Sequence, residues 1–192
     1  MKKDIILAGV GGQGILSVAA VIGMAALEEN LFVKQAEVHG MSQRGGAVQS
    51  HLRISDKEIY SDLIAEGEAD MILSVEPMES LRYLSFLSKE GWVITNTKPF
   101  VNVPDYPDLD TILEKIESLP SSVAIDADGI ARILKAPKAS NIVIVGAASP
   151  YLGIDYESLE KGIKKIFGRK GEEIINLNLQ ALQAGRDKAL NN

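Results

Sequence analysis

The sequence predicts a three-layer α/β/α domain with a mixed, mostly parallel central sheet and one antiparallel hairpin. Three observations carry this expectation. A strand-length apolar run ends in a glycine cluster and passes into an unbroken helical stretch, further apolar runs alternate with amphipathic ones, and one pair of runs is joined by a short turn instead of a helix.

Residues 5–8 (Ile-Ile-Leu-Ala) are the first strand, stopped by Gly9-Val10-Gly11-Gly12-Gln13-Gly14, and a helix follows over about residues 14–29. Residues 31–38 form a second strand, and residues 39–46 are irregular. Residues 47–54 alternate, and Ser55-Asp56-Lys57 turns them back into residues 58–61, the expected hairpin. Residues 70–75 are a buried strand. A helix then starts on Pro77 and runs to about residue 88, and residues 91–96 are the next strand. Pro99, Pro104 and Pro107 impose an extended loop, residues 108–119 are an amphipathic helix, and residues 123–126 are the last clear strand. Residues 142–148 are apolar throughout, so periodicity leaves strand and helix open; the small Gly146, Ala147 and Ala148 favour helix. Two helical patterns, Tyr156–Phe167 and Glu172–Leu190, complete the chain, with Gly168 and Gly171 as the break. Right-handed crossovers are expected to bring the 9–14 and 37–46 loops to the same carboxyl edge of neighbouring strands, where ligands of such sheets bind.

Composition narrows the chemistry. A chain of 192 residues, 46% hydrophobic, is most economically one domain spanning 1–192. The net charge of −6 and the lack of a basic cluster argue against nucleic acid and membrane as partners. There is no cysteine, which removes iron–sulfur clusters, thiolate zinc sites, disulfides and cysteine nucleophiles from this chain. With only His39 and His51, no multi-histidine metal site can form; no metal ligand and no catalytic residue is assigned. The charged start, Met1-Lys2-Lys3-Asp4, leads into a run too short for a signal core or a membrane span, and a cytoplasmic location is expected.

Gly9, Gly11 and Gly14 satisfy G-x-G-x-x-G between a strand and a helix. Glycines let the backbone turn sharply and approach a ligand, and the amides of the following helix N-terminus point at an anion. Glu37 lies roughly where a Rossmann-like dinucleotide fold places its ribose-binding acid, so a stand-alone NAD- or FAD-binding protein is one reading. Tight crossover packing alone is another.

A second motif, Glu37-Val38-His39-Gly40-Met41-Ser42-Gln43-Arg44-Gly45-Gly46, goes with the first. Together they resemble the gamma-type subunit of the 2-oxoacid:ferredoxin oxidoreductases, in wording most like the small subunit of the indolepyruvate type. Asn141-Ile142-Val143-Ile144-Val145-Gly146-Ala147 matches a third family segment, and the resemblance covers essentially the whole chain. It implies a Rossmann-like subunit of an enzyme that oxidatively decarboxylates a 2-oxoacid to an acyl-CoA and passes electrons to ferredoxin. Thiamine diphosphate, magnesium and the iron–sulfur clusters belong to partner subunits: this chain has no cysteine and no thiamine motif, and alone it is expected to be inactive. Ferredoxin is reached through those partners, and homodimers or hetero-oligomers are expected.

The resemblance also implies a share in coenzyme A binding. The residues assigned to it are Gly9, Gly11, Gly12, Gln13 and Gly14, with Ser42, Gln43, Arg44 and Gly45 on the second loop and Asn141 on the third segment. Backbone amides would meet phosphate, Arg44 would bind its oxygens bidentately, and Ser42 and Gln43 would add neutral hydrogen bonds. Asn141 equally suits a helix cap. His39 and His51 are read as structural.

Overall fold

The computed structural model describes residues 1–39, 45–101 and 103–191. Six strands form one sheet in the order β2-β3-β1-β4-β5-β6: β1 Lys2–Val10, β2 Phe32–His39, β3 Ala47–Ser55, β4 Ala69–Ser74, β5 Leu87–Asn96 and β6 Ser122–Ile125. β3 runs antiparallel to both its neighbours and the remaining pairs are parallel. The expected mixed sheet is therefore present. β1 reads as a continuous apolar run because both its faces are covered: Ile5 and Leu7 enter one core and Ile6 the other.

The helices are divided unequally between the faces. On the smaller side, Ile112 and Ile116 of α3 (Leu109–Glu117) meet Ile6, Ile72 and Val93, with Met78 and Leu81 of α2 (Pro77–Arg82) beside them. On the larger side α1 (Ile15–Glu28) and α5 (Ser140–Ala148) lie on the sheet, and α6 (Tyr156–Phe167) and α7 (Glu172–Leu190) cover them as an outer tier. Packing is close enough to need glycine. A Cβ on Gly162 of α6 would stand 2.6 Å from the Val21 carbonyl of α1, and Cβ atoms on Gly146 of α5 and Gly185 of α7 would stand 2.0 and 1.9 Å from carbonyls of the facing helix. Residues 142–148 are helical and buried from end to end, with sheet on one side and α7 on the other. A helix enclosed all round has no polar face, so its period is invisible in sequence.

Two expectations are corrected, and one helix is added to them. Residues 58–61 are not a strand; the hairpin partner of β3 is β2, in register from Phe32 opposite Ser55 to His39 opposite Val48. The 58–64 backbone is held by side chains instead: Arg53 donates to the carbonyls of Ser61 and Leu63, both at 3.0 Å, and the Ile64 amide donates to His51 Nδ1 at 3.0 Å. The helix starting on Pro77 stops at Arg82, because residues 87–96 are drawn into β5 alongside β4. A further helix, α4 (Ala127–Ile133), follows β6, its start capped by Asp126 Oδ1 accepting from the Gly129 amide.

His51 has a testable consequence. Its Nδ1 accepts the Ile64 amide at 3.0 Å, so the neutral ring carries its proton on Nε2. Burial, and secondarily the charge of Arg53, lowers its pKa below the ordinary 6.5. The unfolded chain thus binds this proton more readily than the folded one. The stability contributed is complete above about pH 6.5 and is lost as pH falls below it towards the depressed folded value. Urea midpoints between pH 7.5 and 5.5 are expected to fall more steeply for the native chain than for His51→Gln; parallel slopes would remove His51 as the cause.

Candidate functional site at the glycine loop

The loop between β1 and α1 is a sheet-edge turn whose backbone is divided between structural and open positions. Gly11 continues the β1–β3 ladder, its amide donating to the Gly46 carbonyl at 2.8 Å and its carbonyl accepting from the Gly45 amide at 3.3 Å. That pairing ties the first glycine motif to the end of the second. Gly9 packs inside, where an added Cβ would meet Val75 Cγ2 at 2.6 Å and Ile15 Cδ1 at 2.8 Å. The Gln13 side chain turns inward: its Oε1 accepts from the Val10 amide at 2.7 Å and its Nε2 donates to the Val75 carbonyl at 3.5 Å.

Gly12 and Gly14 differ from these. Both have positive φ, 103° and 83°, the left-handed region that glycine enters without strain. A Cβ on Gly12 would touch nothing within 4 Å, whereas one on Gly14 would collide with Asn141 Nδ2 at 2.5 Å. Asn141 sits in the first turn of α5 and donates from Nδ2 to the Gly14 carbonyl at 3.1 Å, so it fastens α5 to the loop rather than capping its own helix. Helix α1 starts at Gly14 with no side-chain cap. Its leading amides therefore have the geometry that suits an outside acceptor.

A cleft of about 510 Å³ opens against Gly12, Gly14 and Ser17. Pro137 and Lys138 line it from the α4–α5 connection, Asn141 from the first turn of α5, Phe167 and Lys170 from the end of α6, and Asn96, Phe100 and Asp128 from the far side. Asn96 is nearly buried, donates to Asp128 Oδ2 at 2.7 Å and accepts from the Ala127 amide at 3.0 Å, which joins the end of β5 to the start of α4. Phe100 belongs to the proline-rich loop, which is held to the sheet edge by Glu76. That carboxylate, fully buried, accepts from the Glu79 amide at the start of α2, from the Phe100 amide at 3.2 Å and from the Tyr106 hydroxyl. Burial, followed by the bond to Glu76, pushes the Tyr106 hydroxyl above its ordinary pKa, so it stays a donor at all ordinary pH.

Of the sequence-assigned residues, Gly12, Gln13, Gly14 and Asn141 meet at this cleft. Ser42, Gln43 and Arg44 lie outside the described residues. The expected adjacency of the two loop-bearing strands is corrected: β3 lies between β1 and β2, so Glu37 is two strand spacings, roughly 10 Å, from β1. Glu37 lines a separate hollow of about 350 Å³ on the other side of Gly12 and Gly14, with Leu16 and Val48. Ser17, Asn96, Lys138 and Lys170 reach the cleft from four separate stretches. No local motif marks them, and only the crossover geometry gathers them.

An α/β sheet with an uncapped glycine-loop helix at its carboxyl edge has the geometry at which sheets of this class generally bind phosphate-bearing ligands. Comparison with known proteins carries the assignment further. The family described as pyruvate ferredoxin/flavodoxin oxidoreductase matches residues 4–188. The Archaeoglobus fulgidus indolepyruvate oxidoreductase subunit IorB is 37% identical over 99% of this chain and 96% of its own. Among solved structures, the pyruvate oxidoreductase subunit PORC of Thermotoga maritima superposes with a TM-score of 0.76 at 24% identity, covering 97% of this chain and 96% of that one. The Magnetococcus marinus 2-oxoglutarate:ferredoxin oxidoreductase, solved with 2-oxoglutarate, coenzyme A and succinyl-CoA bound, gives a TM-score of 0.78 at 23% identity. All of this chain, but only 31% of that larger one, takes part in the match. The chain belongs to the pyruvate ferredoxin/flavodoxin oxidoreductase family, as a gamma-type subunit of a 2-oxoacid:ferredoxin oxidoreductase. That membership replaces the stand-alone NAD- or FAD-binding reading. Among the described residues, no helix is long and apolar enough to cross a membrane.

Proposed function

We propose that this subunit holds the phosphates of coenzyme A in the cleft at Gly12, Gly14 and Ser17, within a cytoplasmic enzyme that oxidises indolepyruvate. The observation that carries the proposal is the open space over Gly12 beside an uncapped helix start, with Lys138 and Lys170 on the facing wall. Amides, a hydroxyl and two ammonium groups converging on one cleft suit a diphosphate. The bound coenzyme A of the Magnetococcus marinus enzyme and the indolepyruvate named for the Archaeoglobus fulgidus relative agree with it.

Thiamine diphosphate, magnesium and iron–sulfur clusters fall to partner chains in this reading, since the 192 residues include no cysteine to ligate a cluster. Leu16, Val38, Phe100 and Val101 are exposed at the same sheet edge as the cleft, apolar surface that a thiamine- or cluster-binding partner, or a second copy, would cover. Ferredoxin is reached through those partners.

Arg44 is the arginine of the second loop, and its guanidinium supplies a bidentate phosphate contact in this reading. Arg44→Gln keeps much of the size and removes the charge, and a lost charge-assisted bond costs about 1.5–3 kcal/mol. In the assembled enzyme, assayed by indolepyruvate-dependent ferredoxin reduction, the expected result is a KM for coenzyme A raised roughly ten- to hundredfold with the oxoacid KM unchanged. An unaltered coenzyme A dependence would remove Arg44 from the site.

A further inference from the structure

One edge of the sheet is long and bare. β2 is paired with β3 in unbroken register over its eight residues, and among the described residues no strand lies on its outer side. The opposite edge, β6, has only four residues. Soluble proteins blunt a long edge with proline, a bulge or unpaired lysines. β2 contains no proline and no bulge, and its lysine, Lys34, is tied to Asp62 at 3.0 Å.

Apolar surface flanks this edge on both faces. Gly23 of α1 faces β2, a Cβ there standing 3.5 Å from Val33 Cγ1. At roughly 100° per residue, Leu16 and Leu27 lie within about 40° of Gly23 around the helix, so both look out beside β2. Since Val33 faces α1, Phe32 and Val38 project from the opposite face of the strand. The Lys34–Asp62 pair draws the 58–64 segment alongside that face, bringing Tyr60 and Leu63 with it, and Phe32 and Tyr60 line one hollow. These six side chains are 49–86% exposed, half of the large apolar side chains exposed among the described residues. The surface is also neutral: residues 32–39 hold one lysine and one glutamate, and residues 15–27 hold no charge, in a chain of net charge −6.

We infer that a second copy of this chain covers the β2 edge, the two strands running antiparallel about a two-fold axis at Gln35 so that one six-stranded sheet continues into the other. A bare edge is completed by another strand, and a second copy brings the identical edge in the orientation that a two-fold requires. Neutral patches meet without the repulsion that two acidic chains otherwise exert. The axis stands normal to the sheet, so a residue of one copy opposes only residues on the same face of the other. With Gln35 on the axis, Phe32 opposes Val38 of the second copy and Lys34 opposes Ala36. The neighbouring register on one side sets Lys34 against itself, and the one on the other side carries Phe32 beyond the end of the strand at His39. The glycine cleft is lined by Val75 and Asn96, beyond β4 and β5, so both copies keep it open away from the shared edge.

Sedimentation equilibrium of the 192-residue chain tests this, and a dimer is expected at concentrations on the order of 10 μM. Phe32→Glu places a carboxylate against Val38 of the other copy, twice over, and is expected to weaken the dimer at least about tenfold. Adding Val38→Lys to it is expected to restore most of that loss, because position 38 then offers an ammonium to Glu at position 32 across the axis. Within one chain the two positions are about 20 Å apart and cannot pair. The chain has no cysteine, so Gln35→Cys supplies its single thiol, and mild oxidation of the assembled enzyme is expected to join two copies of this subunit through it. A native chain that stays monomeric, a double variant no tighter than Phe32→Glu alone, or a Gln35→Cys enzyme that forms no such link would overturn the pairing. A monomeric native chain whose capture of the thiamine- or cluster-binding subunits is lost on Phe32→Glu would assign the edge to one of those subunits instead, and the second copy would fall.

Discussion

Replacing Gly146 with alanine is expected to lower the melting temperature of the chain by roughly 6–12 °C, the equivalent of about 3 kcal/mol for a protein of this size. The added methyl would sit 2.0 Å from the Leu182 carbonyl oxygen and 2.9 Å from its carbon, both backbone atoms that cannot rotate away. Gly185 makes the reciprocal approach, 1.9 Å to the Val143 carbonyl, so α5 and α7 cross in near backbone contact at both positions. Either substitution must push the helices apart and loosen the dispersion contacts of the crossing, where Leu182 and Val143 are fully buried. The loss is a large part of a typical folding free energy of about 5–15 kcal/mol. Because one separation relieves both clashes, the double variant Gly146→Ala with Gly185→Ala is expected to lose clearly less than the sum of the singles. Thermal melts of the three variants check this; additive losses, or singles within about 1 °C of the native chain, would mean that the two glycines do not share one crossing.

Gly12→Val is expected to act in the opposite way, leaving the fold largely intact while raising the coenzyme A KM at least tenfold. Nothing lies within 4 Å of the position its Cβ would take, so there is no internal clash. The φ of 103° costs a β-branched residue about 1–3 kcal/mol, a strain the loop must carry. The side chain has only the open space over the loop to occupy, and that is where a phosphate would approach the Gly14 and helix-start amides. Steady-state kinetics of the assembled complex separate the cases: the coenzyme A KM should rise and the oxoacid KM should not. A native coenzyme A KM together with normal assembly would make the loop a packing element, and the chain a scaffold subunit.

Much of this was legible along the chain. β1, the glycine turn and α1 follow from an apolar run broken by glycines and resumed without a breaker, since local steric freedom alone decides such a turn. α3 follows from a one-sided apolar stripe, and α6 and α7 from helical patterns separated by Gly168 and Gly171. Residues 142–148 were only tipped towards helix, because the signal that separates the two states is the polar face that this helix lacks. Residues 58–61 misled because strand pattern is local while strand pairing is not: β3 pairs with β1 and β2, and the Ser61 and Leu63 carbonyls and the Ile64 amide are bound by the Arg53 and His51 side chains of β3.

The candidate site divides along the same line. Sequence alone determined that this chain carries a glycine-loop helix start, that it can ligate no iron–sulfur cluster, and that its paired motifs belong to the gamma-type subunits of the 2-oxoacid oxidoreductases. Those are properties of residue identity and short-range geometry. Which of the glycines stays open came from the packing. Gly9 and Gly11 are spent on packing and on the ladder with residues 45–46, Gln13 turns inward, Asn141 becomes the tie between α5 and Gly14, and Gly12 alone of the loop faces unfilled space. Lys138, Lys170 and Ser17 reach one cleft from positions as far as 153 residues apart through crossovers that no local pattern encodes. Proximity across a fold is a long-range property of the packed chain, and no window of sequence contains it.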